Sequence, residues 1–137
     1  MIVTCAIIIY QDKILAVRRP EGKSNGGLWE FPGGKPLERE SFRNCIIREI
    51  QEELCLVINP SLRLQKSTYV HNNFHIELLP FVTFIQTDTF TLVEHSAHRW
   101  CSRSDIKELN WSPADIRIME HVYNHFYSLI TLNPWNN

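Results

Sequence analysis

The chain has 137 residues, 44% hydrophobic and 21% charged, which suits one ordinary globular domain spanning 1–137 with a buried core. Its 14 basic and 15 acidic side chains leave a net charge of −1, without the basic surplus that marks a binder of long nucleic acids. No apolar run approaches the roughly 18 residues needed to span a bilayer, so neither long nucleic acid nor membrane is expected as a partner.

In chain order, residues 2–10 and 13–19 are β-rich runs separated by Gln11-Asp12, which predicts a hairpin. The first run follows Met1 without a basic leader and reads as a strand, not a signal peptide. Glu21 to Gly27 is a polar loop, and Leu28-Trp29-Glu30-Phe31 is a short strand entering Pro32-Gly33-Gly34. A helix is predicted from Ser41, its N-cap, to Leu54. Ile46, Ile47, Ile50 and Leu54 form its apolar stripe, Glu49 and Glu52 lie opposite, and Glu53 stands at the border. Strand-like runs follow at 62–70 and 74–86, joined by His71-Asn72-Asn73, and at 97–101 around Trp100. A helical turn over Ser104–Leu109 precedes Trp111, and a last helix begins at Ser112-Pro113 with Ile116, Met119, Val122, Tyr123 and Phe126 at helical spacing. The pattern predicts an α/β fold, a mixed sheet with helices on both faces. Cys5, Cys45, Cys55 and Cys101 show no Cys-x-x-Cys spacing and read as free thiols of a reducing compartment, so a cytoplasmic location is expected.

The chemistry concentrates in Arg48-Glu49-Ile50-Gln51-Glu52-Glu53. Carboxylates at i, i+3 and i+4 crowd one helix surface, at a cost of roughly 0.2–0.5 kcal/mol per uncompensated pair. Oxygen-only ligands suit a hard divalent cation such as Mg²⁺ or Mn²⁺, and Gly33-Gly34 upstream permits close backbone approach to an ion or substrate. The same spacing also fits a solvated helix face. Arg18 and Arg19 close the second strand beside the loop, where two guanidiniums form either a phosphate clamp or a pair of solvated charges.

Gly34, Glu40, Arg48-Glu49-Ile50, Glu52-Glu53 and Leu56 stand at spacings that resemble the 23-residue Nudix box of nucleoside diphosphate-linked hydrolases. One position departs: Cys55 replaces the usual glycine, at a cost of about 1 kcal/mol if a left-handed backbone is kept there. Leu28 to Lys35, Glu94-His95, Arg99-Trp100 and Trp111 to Asp115 extend the similarity to the MutT-like branch and, within it, to bacterial CTP pyrophosphohydrolases, over residues 2 to about 127. The resemblance implies a Nudix α/β/α sandwich with a central mixed β-sheet. It also implies metal-dependent hydrolysis of nucleoside triphosphates to monophosphate and pyrophosphate, with Mg²⁺ or Mn²⁺ as cofactor.

Carried over residue by residue, Glu49, Glu52 and Glu53 become metal carboxylates aided by the Gly33 carbonyl, with Glu49 the candidate to take a proton from water. Arg48 would orient them. Glu40 would support the loop or meet a further metal; an acidic residue favouring the helix dipole is the plainer alternative. Arg19 would contact the substrate phosphates, Phe31 would line a base pocket and Asp115 would read the base edge. Phe31 and Trp111 also suit a plain core, and Asp115 also suits a helix start. Glu94 is a late-chain carboxylate for metal or base duty, or a solvated loop residue.

An ionised Asp115 only accepts hydrogen bonds, which favours the amino group of cytosine over the O6 of guanine or 8-oxoguanine. A protonated Asp115, or the N1–H and N2–H₂ donors of guanine, would relax that preference. Cytosine nucleotides such as CTP or 5-substituted dCTP are therefore the expected substrates, with oxidised purine triphosphates such as 8-oxo-dGTP as the rival. A catalytically silent Nudix domain would be signalled by missing carboxylates, and all are present. The expected partner is a small nucleotide, for a monomer or homodimer.

Overall fold

β1 (Ile2–Tyr10) alternates across the middle of the sheet and feeds two separate cores. Cys5, Ile7 and Ile9 point to one side, Ala6 and Ile8 to the other, all almost fully enclosed. Burying each isoleucine is worth roughly 1.5–3 kcal/mol. The computed structural model describes residues 1–136. β2 (Lys13–Arg18) returns antiparallel to β1 through the predicted Gln11-Asp12 turn. β3 (Trp29–Glu30) and β8 (Ala97–Cys101) both pair with β2, and β4 (Gly33–Gly34) pairs with Thr4 and Cys5 of β1. On its far edge β1 runs parallel to β7 (Phe74–Ile85), Ile2 facing Glu77 and Tyr10 facing Ile85. That parallel pairing beside the antiparallel ones makes the sheet mixed.

Helix α1 (Phe42–Leu54) covers one face, packing Ile46, Ile50 and Leu54 on Ala6, Ile8, Leu15 and Val17. The other face carries α2 (Arg103–Glu108), α3 (Ile116–Asn124) and α4 (Phe126–Thr131), with Ile106, Ile118, Val122, Phe126 and Leu129 inserted into it. The result is the expected α/β/α sandwich. None of these helices is long and apolar enough to cross a membrane.

Three sequence expectations need correction. The predicted strand over 62–70 is broken into β5 (Leu62–Arg63) and β6 (Ser67–His71), both on β7. The cause is Pro80: Leu64 N–H donates to its carbonyl (2.9 Å), so this edge is where residue 80 would offer its own N–H, and proline has none. Gly33-Gly34, expected as loop, is paired strand. The single last helix is instead a 3-10 turn over Pro113–Asp115, then α3, an interruption at His125, and α4.

Cys55 ends α1 with φ of 53°, in the left-handed region, its N–H donating to the Gln51 carbonyl. Its side chain is exposed and free, whereas Cys5, Cys45 and Cys101 are buried. Replacing Cys55 with glycine is expected to raise stability by about 0.5–1 kcal/mol, a rise in Tm of a few degrees, with activity unchanged. Thermal denaturation of the two proteins checks this; a lower Tm for Cys55→Gly would show that the thiol contributes packing that outweighs the backbone strain.

Candidate active site

The acidic surface of α1 is organised by Arg48. Its guanidinium grips Glu40 with two bonds (Nε to Oε2, 2.8 Å; Nη2 to Oε1, 2.9 Å), and donates to Glu49 Oε1 (2.9 Å), Glu52 Oε2 (3.1 Å) and the Lys35 carbonyl (3.1 Å). Charge-assisted, bidentate pairing of this kind fixes geometry as well as charge. Glu40 also accepts from the Leu37 N–H (3.0 Å). The Arg48 bonds first, then Leu37, hold its carboxyl down at about 2, and the same bonds stabilise the charged Arg48 further. Glu40 thereby ties the loop between β4 and α1 to the helix. Ser41 caps that helix by accepting from the Asn44 N–H (3.1 Å).

Gly33 and Gly34 are where the helix meets the sheet. A Cβ on Gly33 would lie 2.0 Å from the Thr4 carbonyl oxygen, and one on Gly34 would lie 2.3 Å from Glu49 Cδ. The Glu49 carboxylate therefore occupies the space that any side chain at 34 would need. Thr4 Oγ1 donates to the Gly34 carbonyl (2.9 Å), fixing this approach from the β1 side.

Beside this contact opens a cavity of about 440 Å³, within the range of small-molecule sites. Gly33, Glu53, Arg19, Phe31, Asp115 and Glu94 all line it. Glu52 and Glu40 do not, remaining on Arg48 outside, and Glu49 reaches the cavity wall only through its contact with Gly34. Among the described residues, no three acidic, His or Cys side chains are pre-arranged around a single point. Glu53 Oε2 is buried without a hydrogen-bond partner among the described residues. Burial, then the charges of Glu30 and Glu49, push the Glu53 carboxyl up to about 8. Mutually repelling oxygens and an orphaned buried carboxylate atom are what a hard divalent cation would relieve, and the oxygen-only donor set fits one.

Asp115 is almost fully enclosed, and its Oδ2 accepts from the Phe31 N–H (2.9 Å). Residues 110–112 bring it there: Trp29 N–H donates to the Asn110 carbonyl (2.8 Å) and Ser112 N–H to the Trp29 carbonyl (2.7 Å). Asp115 does stand in the first turn of the helix start, as expected, but its side chain makes no cap hydrogen bond there and braces the strand across the cavity. Burial, and then the charge of Glu30, raises its carboxyl to about 8, which favours the neutral acid over the ionised acceptor at neutral pH. A neutral Asp115 has a hydroxyl to donate as well as a carbonyl to accept. Phe31 lines the cavity and is also a core aromatic against Trp111 (centroids 4.6 Å apart).

Two cavity residues were missed from sequence: Glu30 and His95. Glu30 Oε1 pairs with Arg19 Nη1 (3.1 Å) and its Oε2 lies 2.9 Å from His95 Nε2. His95 Nδ1 is buried without a partner among the described residues. The only local signal was an acidic residue between Trp29 and Phe31, on the opposite side of a strand from two aromatics. Glu94 is exposed at the rim and pairs with Lys23 (3.4 Å).

The NUDIX domain family model matches residues 4–121. The chain belongs to the Nudix family. The CTP pyrophosphohydrolase of Escherichia coli (strain K12) is 33% identical over 120 residues, covering 86% of this chain and 87% of that protein. The 8-oxo-dGTP diphosphatase of Proteus vulgaris is 31% identical over 71 residues, 52% of this chain and 63% of that protein. Among solved structures, the MutT protein from Methanosarcina mazei Go1 superposes with a TM-score of 0.79 at 25% identity, over 91% of this chain and 93% of that one. The protein is thus a MutT-like Nudix hydrolase with pyrophosphohydrolase activity, of a family that uses divalent metal ions.

The raised carboxyls have a sign that can be measured. Glu53 and Asp115 bind protons more tightly in the folded protein than in the unfolded chain, so their contribution is complete below the ordinary carboxylate range and is lost as pH climbs to about 8. In EDTA, Tm is expected to fall between pH 5 and pH 8, by the equivalent of about 3 kcal/mol for one such group. Glu53→Gln and Asp115→Asn should each flatten the fall. A metal-free protein whose Tm holds constant over this range would show that neither carboxyl is raised.

Proposed function

We propose that this Nudix hydrolase is a metal-dependent nucleoside triphosphate pyrophosphohydrolase that prefers cytosine nucleotides, such as CTP or 5-substituted dCTP, and releases the monophosphate and pyrophosphate. The observation that carries it is one cavity lined by Glu53 and Gly33 together with Asp115 and Phe31, so that phosphate chain and base can be held at once. Glu49, Glu52, Glu53 and the Gly33 carbonyl would hold Mg²⁺ or Mn²⁺. When bound, such an ion neutralises phosphate charge and lowers the pKa of coordinated water. Arg48 restrains Glu49 and Glu52 through its hydrogen bonds, and Glu40 restrains Arg48. Glu49, against the Gly34 backbone, is the candidate to accept the proton of the attacking water. Arg19 faces the phosphates, Phe31 forms a wall for the base and Asp115 meets its edge. Glu94 is the remaining rim carboxylate for metal or base duty.

With Asp115 neutral, charge alone no longer selects cytosine. An acid hydroxyl and carbonyl match the adjacent acceptor and donor of cytosine (N3, N4–H₂), and equally those of guanine (O6, N1–H). The cytosine preference is supported instead by the similarity to the CTP pyrophosphohydrolase, which extends over far more of the chain than that to the Proteus enzyme. The neutral Asp115 removes the charge objection to an O6 acceptor, which makes 8-oxo-dGTP the second reading.

The test is kcat/KM for CTP, 5-methyl-dCTP and 8-oxo-dGTP with Mg²⁺ or Mn²⁺, using the native protein, Asp115→Asn and Glu53→Gln. Cytosine nucleotides should lead by about one to two decades, and Asp115→Asn, whose amide keeps the donor and acceptor of the neutral acid, should leave that order unchanged. Glu53→Gln should cost about 100-fold or more, the scale of lost metal-borne charge stabilisation. A tenfold lead for 8-oxo-dGTP reverses the substrate assignment, and near-normal turnover by folded Glu53→Gln removes that residue from the metal site.

A further inference from the structure

Arg19 leaves β2 with two of its N–H donors already engaged, Nε on the Ser24 carbonyl (2.6 Å) and Nη1 on Glu30 Oε1 (3.1 Å). A guanidinium has five such donors, so among the described residues three remain for a ligand. Glu30 is itself gripped from behind. Its Oε2 lies 2.9 Å from His95 Nε2, and because the carboxylate already accepts from Arg19, the imidazole nitrogen is the donor. Enclosure increases along this path: the side chains of Arg19, Glu30 and His95 are 32%, 17% and 5% exposed.

The backbone makes His95 a fixed anchor. Val93 N–H donates to the Glu53 carbonyl (3.0 Å), and Ser96 N–H donates to the Arg18 carbonyl (3.0 Å), pinning the segment on both sides of His95. Arg18 pairs with Trp29 on one edge and Ala97 on the other, so the end of β2 is clasped between β3, which carries Glu30, and β8, which His95 precedes. The anchor, the bridge and the arginine therefore sit at the ends of three neighbouring strands of one sheet, Arg19 just after β2 and His95 just before β8.

A carboxylate beside a phosphate-binding arginine carries an electrostatic disadvantage, since its charge opposes that of the phosphates. What it provides is alignment. An arginine free to rotate loses that freedom on binding, which weakens affinity, and one held in plane beforehand does not. A hydrogen bond from a buried imidazole fixes the carboxylate that does the holding.

We propose that Glu30 and His95 are positioning residues for Arg19: His95 Nε2–H fixes Glu30, and Glu30 fixes the Arg19 guanidinium in the plane that receives the substrate phosphates. This rests on Arg19 as the phosphate contact and goes beyond it by naming what aligns it. Such residues act on substrate affinity, leaving the chemical step to the carboxylates of α1.

Steady-state kinetics on the best triphosphate substrate, with folding followed by circular dichroism, tests the relay. His95→Leu should raise KM about tenfold, the worth of a hydrogen bond to a charged group, and leave kcat within about twofold. His95→Gln, whose amide N–H can still reach Glu30, should recover most of the affinity. In an Arg19→Ala background, itself raised in KM, His95→Leu should add nothing further. Glu30→Ala gives the same cycle at a less enclosed position, should His95→Leu fold poorly. The relay is overturned if folded His95→Leu or Glu30→Ala keeps native KM, loses kcat instead, or raises KM equally with and without Arg19. Native KM in Arg19→Ala would remove the phosphate contact itself, whereas raised KM there with native KM in the other two variants removes the relay alone.

Discussion

The approach of the Gly33–Gly34 backbone to β1 is the contact on which the site depends. Two peptide units lie so close to Thr4 and Cys5 that no Cβ fits at Gly33, and at Gly34 the corresponding space is filled by the Glu49 carboxylate. α1 is thereby set against the sheet with its acidic surface turned towards the strand edge, while Ile46, Ile50 and Leu54 seal the opposite side of the helix. Glu53, one turn beyond Glu49, then falls on the cavity wall. Arg48 completes the arrangement, because without a cation of its own that surface would scatter its carboxylates by repulsion.

The cavity accommodates more acid than its burial would tolerate if every group were charged. Glu30 is the common neighbour: its charge raises both Glu53 and Asp115. The two resulting neutral acids have different prospects in the proposed reaction. A divalent ion would displace the proton of Glu53, since metal ligation selects the deprotonated carboxylate. Asp115, braced by the Phe31 N–H and outside the proposed ligand set, would keep its capacity to donate. One acid is thus suited to metal and another to hydrogen bonding, a separation produced by environment and not by residue type.

Local pattern was enough for much of the fold. The β1–β2 hairpin, β8 at 97–101 and α1 from its Ser41 cap to Leu54 are read from alternation, turn residues and helical spacing within short windows. The left-handed backbone at Cys55 followed from a position where a helix ends. What escaped depends on partners distant in the chain. The break between β5 and β6 comes from Pro80 on another strand. The brace between Asp115 and the Phe31 N–H joins residues 84 apart, and the Glu30–His95 bond spans 65. Burial, which sets the charge of Asp115, belongs to the assembled cavity and has no signature in the residue's immediate neighbours.

The parallel pairing of β1 with β7 has a consequence for how the chain is made. Ile2 meets Glu77 and Tyr10 meets Ile85, a constant offset of 75 residues. At ribosomal rates of about 5–20 residues per second, β1 emerges roughly 4–15 seconds before its partner strand exists. Through that interval the β7 side of Ile7-Ile8-Ile9 has no strand beside it, and on the other side β2 pairs at Ile9 and Tyr10. An uncharged, proline-free run rich in β-branched residues is the composition most prone to pairing with the wrong chain. The strand that anchors both cores of the finished protein is therefore left with an open edge during synthesis until β7 closes it.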